Sequence, residues 1–118
     1  MGEIRFYEGA SCSQHYIGKI SSQIDSTWDL TLKSAPVPDR EAQSCTLIEV
    51  QKGARVILFD TAYETGDNTC TEIIVKLDIA ERCVLSFTQA FVDAEVEVVL
   101  HNGKGVQNTV SRIKVQSG

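Results

Sequence analysis

Gly2-Glu3-Ile4-Arg5-Phe6-Tyr7-Glu8 lies residue for residue over Ala54-Arg55-Val56-Ile57-Leu58-Phe59-Asp60. Farther along, Asp39-Arg40-Glu41-Ala42-Gln43-Ser44-Cys45-Thr46-Leu47 lies over Gln107-Asn108-Thr109-Val110-Ser111-Arg112-Ile113-Lys114-Val115. In the second pair the apolar positions agree throughout: Ala42 with Val110, Cys45 with Ile113, Leu47 with Val115. Spaced self-similarity of this kind predicts a duplicated supersecondary unit with pseudo-twofold pairing. Each copy ends in a polar knot followed by a strand, so the duplication sets equivalent polar loops side by side. What those paired loops can bind then becomes the question about function.

Outward from these segments, strand signals dominate. A strand begins at residues 4–7 and returns at 15–20 after the loop 9–13. Thr27-Trp28-Asp29-Leu30-Thr31-Leu32 alternates polar and apolar residues, the period of a half-buried strand. Residues 34–39 hold both prolines, Pro36 and Pro38, and read as an ordered loop. Strands follow at 44–50 and, after the turn Lys52-Gly53, at 54–59. In the second half, 64–69 is a turn-rich loop. Strands are expected at 71–77, 83–87, 95–101 and 110–115, with a hairpin-like loop over 101–105. Residues 78–82 suit a single helical turn. The fold class is all-β: two Greek-key motifs packed as a sandwich, one about residues 1–51 and the other about 52–118.

A chain of 118 residues matches one domain, and at this size about two thirds of the unfolded surface is buried without help from a metal or disulfide. A net charge of −5 argues against nucleic acid or an anionic membrane surface as partner, since both need a basic face. It is compatible with a cation. The first residues carry Glu3 at once and show no apolar leader, and runs such as 96–100 are too short to cross a bilayer. A cytoplasmic protein is expected, or a secreted one if a precursor carries a signal. Cys12, Cys45, Cys70 and Cys83 show no zinc-ligand spacing, so reduced, buried cysteines are the expectation. In an exported chain the pairing is left open by the sequence: Cys70–Cys83 could clip a hairpin, and Cys12–Cys45 could tie one strand to another. Strands such as 96–100 suit either a homodimer seam or the monomer core.

Two features resemble the βγ-crystallin superfamily, in particular its single-domain fungal and bacterial members. One is the aromatic opening each repeat, Phe6-Tyr7-Glu8 and Leu58-Phe59-Asp60. The other is the polar knot, which in the family reads Asn/Asp-Asn/Asp-x-x-Ser/Thr-Ser before a closing strand. The resemblance covers nearly the whole chain and implies a βγ-crystallin-like sandwich with two calcium sites between the knots. It places Glu8, Glu41 and Ser111 at one site and Asp60, Thr109 and Gln43 at the other. These would supply backbone carbonyls and side-chain oxygens, the hard donors calcium takes at about 2.3–2.6 Å. Arg40, Gln43, Gln107 and Arg112 depart from the pattern. A unit charge close by costs about 1–4 kcal/mol, depending on the effective dielectric, which weakens a calcium site tenfold or more. Arg40 or Arg112 would then serve as a built-in cation for the loop oxygens.

Enzyme chemistry finds little purchase. No motif puts His15 or His101 beside a nucleophile such as Ser11 or Cys12. Asp93, Glu95 and Glu97 alternate, as on one solvated strand face, and lack the opposed geometry of paired acid–base catalysts. Asp60, Glu64 and Asp67-Asn68 lack EF-hand spacing and read as turn chemistry. Trp28 suits a core or interface anchor better than a sugar-stacking platform. The expectation is a non-enzymatic, stable structural or stress-associated protein with weak calcium sites. The alternative is an exported killer-toxin-like or protease-inhibitor protein of the same fold, with a binding loop at 9–14 or 101–105. A carbohydrate-binding sandwich is the third reading.

Overall fold

Ile4 and Phe6 alternate with Glu3, Arg5 and Tyr7, and the two apolar side chains are fully buried while the three between them are half-exposed. The same alternation buries Val56 and Leu58 in the second copy. The computed structural model describes residues 2–60, 70–101 and 110–118. Among these it has ten strands, one short 3-10 turn (Ala10–Cys12) and no α-helix. The strands are β1 (Glu3–Tyr7), β2 (Tyr16–Ser21), β3 (Ser26–Asp29), β4 (Ser44–Val50) and β5 (Arg55–Phe59), then β6 (Cys70–Val75), β7 (Ile79–Val84), β8 (Phe91–Val92), β9 (Val96–His101) and β10 (Arg112–Gln116).

They form two antiparallel sheets, one in the order β2-β1-β4-β7 and the other β3-β10-β5-β6-β9-β8. The register of the two central pairs is the same under the sequence alignment. Phe6 faces Cys45 across β1 and β4, and Leu58 faces Ile113 across β5 and β10. The third strand of each half crosses over: β3 pairs with β10 at the end of the chain, and β7 pairs with β4. One hydrophobic cluster takes side chains from both sheets, including Phe6, Leu47, Leu58, Ile73 and Ile113. Phe6 meets Phe87 edge to face, with ring centroids 6.5 Å apart. Ala42, Cys45, Leu47, Val110, Ile113 and Val115, the six matched apolar positions, are all buried.

The two-proline loop carries no strand, as expected, and it runs against β2. Gly18 has φ +148°, and a Cβ there would lie 2.0 Å from the Pro36 carbonyl oxygen, so only glycine fits. Two expected elements differ. The strand expected to 32 ends at Asp29, because the Asp29 carboxylate accepts from the Thr31 backbone N–H and hydroxyl and turns the chain. The helical turn expected at 78–82 is strand β7, and the strand expected at 83–87 stops at Val84. The edge of β4 offers a full ladder there, and pairing overrides local propensity. The loops expected at 64–69 and across 102–105 lie outside the described residues.

Candidate functional site

Each polar knot closes against the end of its own opening strand by the same bond. The Gln43 N–H donates to the Tyr7 carbonyl at 2.9 Å, and the equivalent Ser111 N–H donates to the Phe59 carbonyl at 2.8 Å. The two knots then meet, the Arg40 N–H donating to the Val110 carbonyl at 2.9 Å. Arg40 reaches this bond with a left-handed φ of +61°. The Ser111 carbonyl in turn accepts the Leu30 N–H at 2.9 Å.

These bonds set Gln43 beside Tyr7-Glu8 and Ser111 beside Phe59-Asp60. Glu8 and Asp60 are half-buried just past β1 and β5, Gln43 is half-buried, Glu41 is exposed and Ser111 is buried. Thr109, the remaining residue of the expected ligand sets, lies outside the described residues. Among the described residues no group of three or more His, Cys, Asp or Glu is arranged to hold a metal ion. At the first knot Asp39 Oδ1 is buried, with no hydrogen-bond partner among the described residues.

The residues after the knots part company. In the first half, Ser44 Oγ donates to the Gly9 carbonyl at 2.6 Å and accepts the Cys12 N–H at 2.8 Å. In the second, the equivalent position is Arg112, 8% exposed, its guanidinium 4.0 Å from the centre of the Phe59 ring. Arg112 lies directly between Asp29 and Phe59 in the sheet. The Thr31 hydroxyl and N–H hold the Asp29 carboxyl below its usual range, and the Arg112 charge adds to this.

The cysteines correct the sequence reading. Cys12 and Cys83 form a disulfide, so the four are not all reduced, and neither Cys70–Cys83 nor Cys12–Cys45 is the pair. Strand exchange is the reason: β7 lies beside β4, and Cys83 faces Thr46 next to the loop that carries Cys12. No spacing signal foretells a pair 71 residues apart. Cys45 and Cys70 remain as buried thiols. Burial alone pushes the Cys45 thiol up; burial and then the charges of Glu72 and Asp60 push up Cys70. Both shifts are the reverse of what an activated nucleophile needs. His101 Nε2 is 3.0 Å from Glu72 Oε1, which is a surface pair.

A cleft of about 320 Å³ opens beside β7, lined by Arg82, Leu85, Ser86, Gln89, Phe91 and Asp93. Arg82 donates to Glu95 at 2.8 Å and to Asp93 at 2.6 Å, and its guanidinium lies 5.7 Å from the Phe91 ring centre. Asp93 and Glu95 therefore brace a turn instead of sharing a strand face with Glu97, since β9 starts only at Val96. The Asp93 carboxyl is held down to about 2 by the Val96 N–H, then the Arg82 side chain and the Glu95 N–H. Trp28 sits on an edge strand, 36% exposed, with its Nε1–H on Ser26 Oγ. No helix among the described residues is long and apolar enough to cross a membrane. Comparison with family models, with curated proteins and with solved structures finds no match for this chain.

Proposed function

We propose that the protein is a non-enzymatic, stable structural or stress-associated protein, built as two Greek keys of the βγ-crystallin kind, whose corners hold calcium weakly at most. The observation that carries this reading is the exchange of β3 and β7 between halves that share one register. Such an exchange buries one apolar face of each unit against its twin and brings the two knots into hydrogen-bond contact. Glu8, Glu41 and Ser111 would hold one ion, and Asp60, Thr109 and Gln43 the other. The raised thiols and the surface histidine pair favour a non-catalytic role.

Calcium bound only by the folded chain stabilises it by about 1.4 kcal/mol at ten times the dissociation constant. Scanning calorimetry in EGTA and then in excess calcium is expected to show a small rise in melting temperature. An unchanged melting temperature would remove calcium from the reading and leave the structural role.

The disulfide favours the second reading, an exported toxin-like or inhibitor protein, because such bonds persist in oxidising compartments and are rare in the cytosol. The loop 9–14 suits recognition other than substrate mimicry. Ser11, Cys12 and Gln14 have φ of 59°, 55° and 64°, whereas a peptide that adds to a protease cleft is extended. Thiol titration after denaturation separates the readings: two thiols fit export, four fit the cytoplasm.

A further inference from the structure

Residues 9–15 form a strap over the outer face of the four-stranded sheet. Its 3-10 turn buries no side chain. Three of its residues, Ser11, Cys12 and Gln14, hold left-handed φ values that L-amino acids avoid. Such conformations persist only where the surroundings over-determine them. Here the restraints come from both halves of the fold. The Ser11 N–H donates to the Leu85 carbonyl at 2.8 Å, the Cys12 N–H donates to Ser44 Oγ at 2.8 Å, and Cys12 is bonded to Cys83 of β7. Beneath the strap, Ser44 and Thr46 are outward-facing polar residues of β4, yet they are 0% and 8% exposed. Cys12 and Cys83 are half-buried and stand outside the hydrophobic cluster that joins the sheets.

We propose that Cys12–Cys83 is a redox latch: its reduction frees the strap as a local unit and uncovers the Ser44–Thr46 surface, while the two-sheet core stays folded. The reductant is a dithiol. One of its thiolates attacks a cysteine sulfur, breaking the Cys12–Cys83 bond and forming a mixed disulfide. Its second thiol displaces the remaining cysteine, so two electrons and two protons pass to the protein and the reductant leaves as a cyclic disulfide. Without the covalent tie, the strap is held by the Ser11 bond to Leu85 and by the two bonds of Ser44 Oγ, and no apolar burial within the 3-10 turn holds it down. The core keeps its apolar contacts, none of which uses either sulfur. A chain moving from an oxidising to a thiol-rich medium would then open this face.

Hydrogen exchange read by mass spectrometry on the intact protein, before and after dithiothreitol, tests the latch. At least tenfold faster exchange in peptides covering 9–15 is expected, with β4, paired on both sides by β1 and β7, and β5, β6 and β10 changing less than twofold. Cys83→Ser without reductant should reproduce the reduced pattern, and Cys45→Ala should respond to dithiothreitol as the parent does. Unchanged exchange over 9–15 on reduction would overturn the proposal, as would loss of protection in both sheets together. Four titratable thiols in protein prepared under oxidising conditions would overturn it too.

Discussion

Ser44 and Arg112 occupy the same place in two copies of one unit, and the fold treats them in opposite ways. Ser44 is a small neutral hydroxyl that satisfies the Cys12 N–H and the Gly9 carbonyl, so burying it leaves nothing unpaired. Arg112 brings a charge into an 8%-exposed position, where the face of Phe59 and the carboxylate of Asp29 on the neighbouring strand offset the loss of water. The first corner is further tied across the molecule by Cys12–Cys83. One backbone frame thus supports two chemistries at one position: a neutral hydroxyl beside a covalent tie, and a cation backed by an aromatic ring.

The halves should differ first in their cores. Phe6→Ala is expected to cost about 3–5 kcal/mol and Leu58→Ala about 2–5 kcal/mol. Phe6 should be the costlier, because it also loses its edge-to-face contact with Phe87, worth roughly 0.5–1.5 kcal/mol. Urea denaturation of both variants measures the gap, and equal losses would show that the two central strands are energetically interchangeable.

The next comparison is at the corners themselves. Arg112→Ala should destabilise by about 2 kcal/mol through lost cation–aromatic contact and packing. Ser44→Ala should cost about 1–2 kcal/mol, since it orphans the Cys12 N–H. Only Ser44→Ala should also speed exchange in residues 9–15; equal acceleration by Arg112→Ala would erase the distinction between the corners.

The smallest effect is with pH. The Asp93 carboxyl titrates at about 2 in the folded protein against an ordinary 3.8. A depressed carboxyl contributes stability that is complete above the unfolded value and lost as pH falls through the folded one. Melting temperature should therefore fall between pH 4 and about 2, and Asp93→Asn should fall less over that window. Asp93 is solvent-exposed, so the difference between the two is expected to be small. Parallel curves would show that the β8–β9 turn does not contribute to acid sensitivity.

Strand positions were legible where side chains alternate with period two, as in residues 3–7 and 112–116, and at 55–59 through likeness to the first copy. One face of each alternating strand is buried, so its pattern carries the answer locally. The pattern misled at 78–84, where Asp78-Ile79-Ala80-Glu81-Arg82 suits a helical turn and only the free edge of β4 makes a strand of it. It was silent on β8, whose two residues are too few for any period. Of the candidate site, the meeting of the knots followed from the duplication, and the residues that tie the first corner did not. Cys12 and Cys83 stand in different copies at unmatched positions.

From the order of residues alone came an all-β chain in two similar halves, the apolar positions of its core and the closeness of two polar corners. Those properties are written in local periodicity and in repetition, which any folded arrangement of the chain must satisfy. The partner of Cys12, the ring that Arg112 lies over and the bracing of Asp93 by Arg82 were decided only by tertiary structure. Each depends on which strand lies beside which after the halves exchange β3 and β7, a choice made by burial of the shared core.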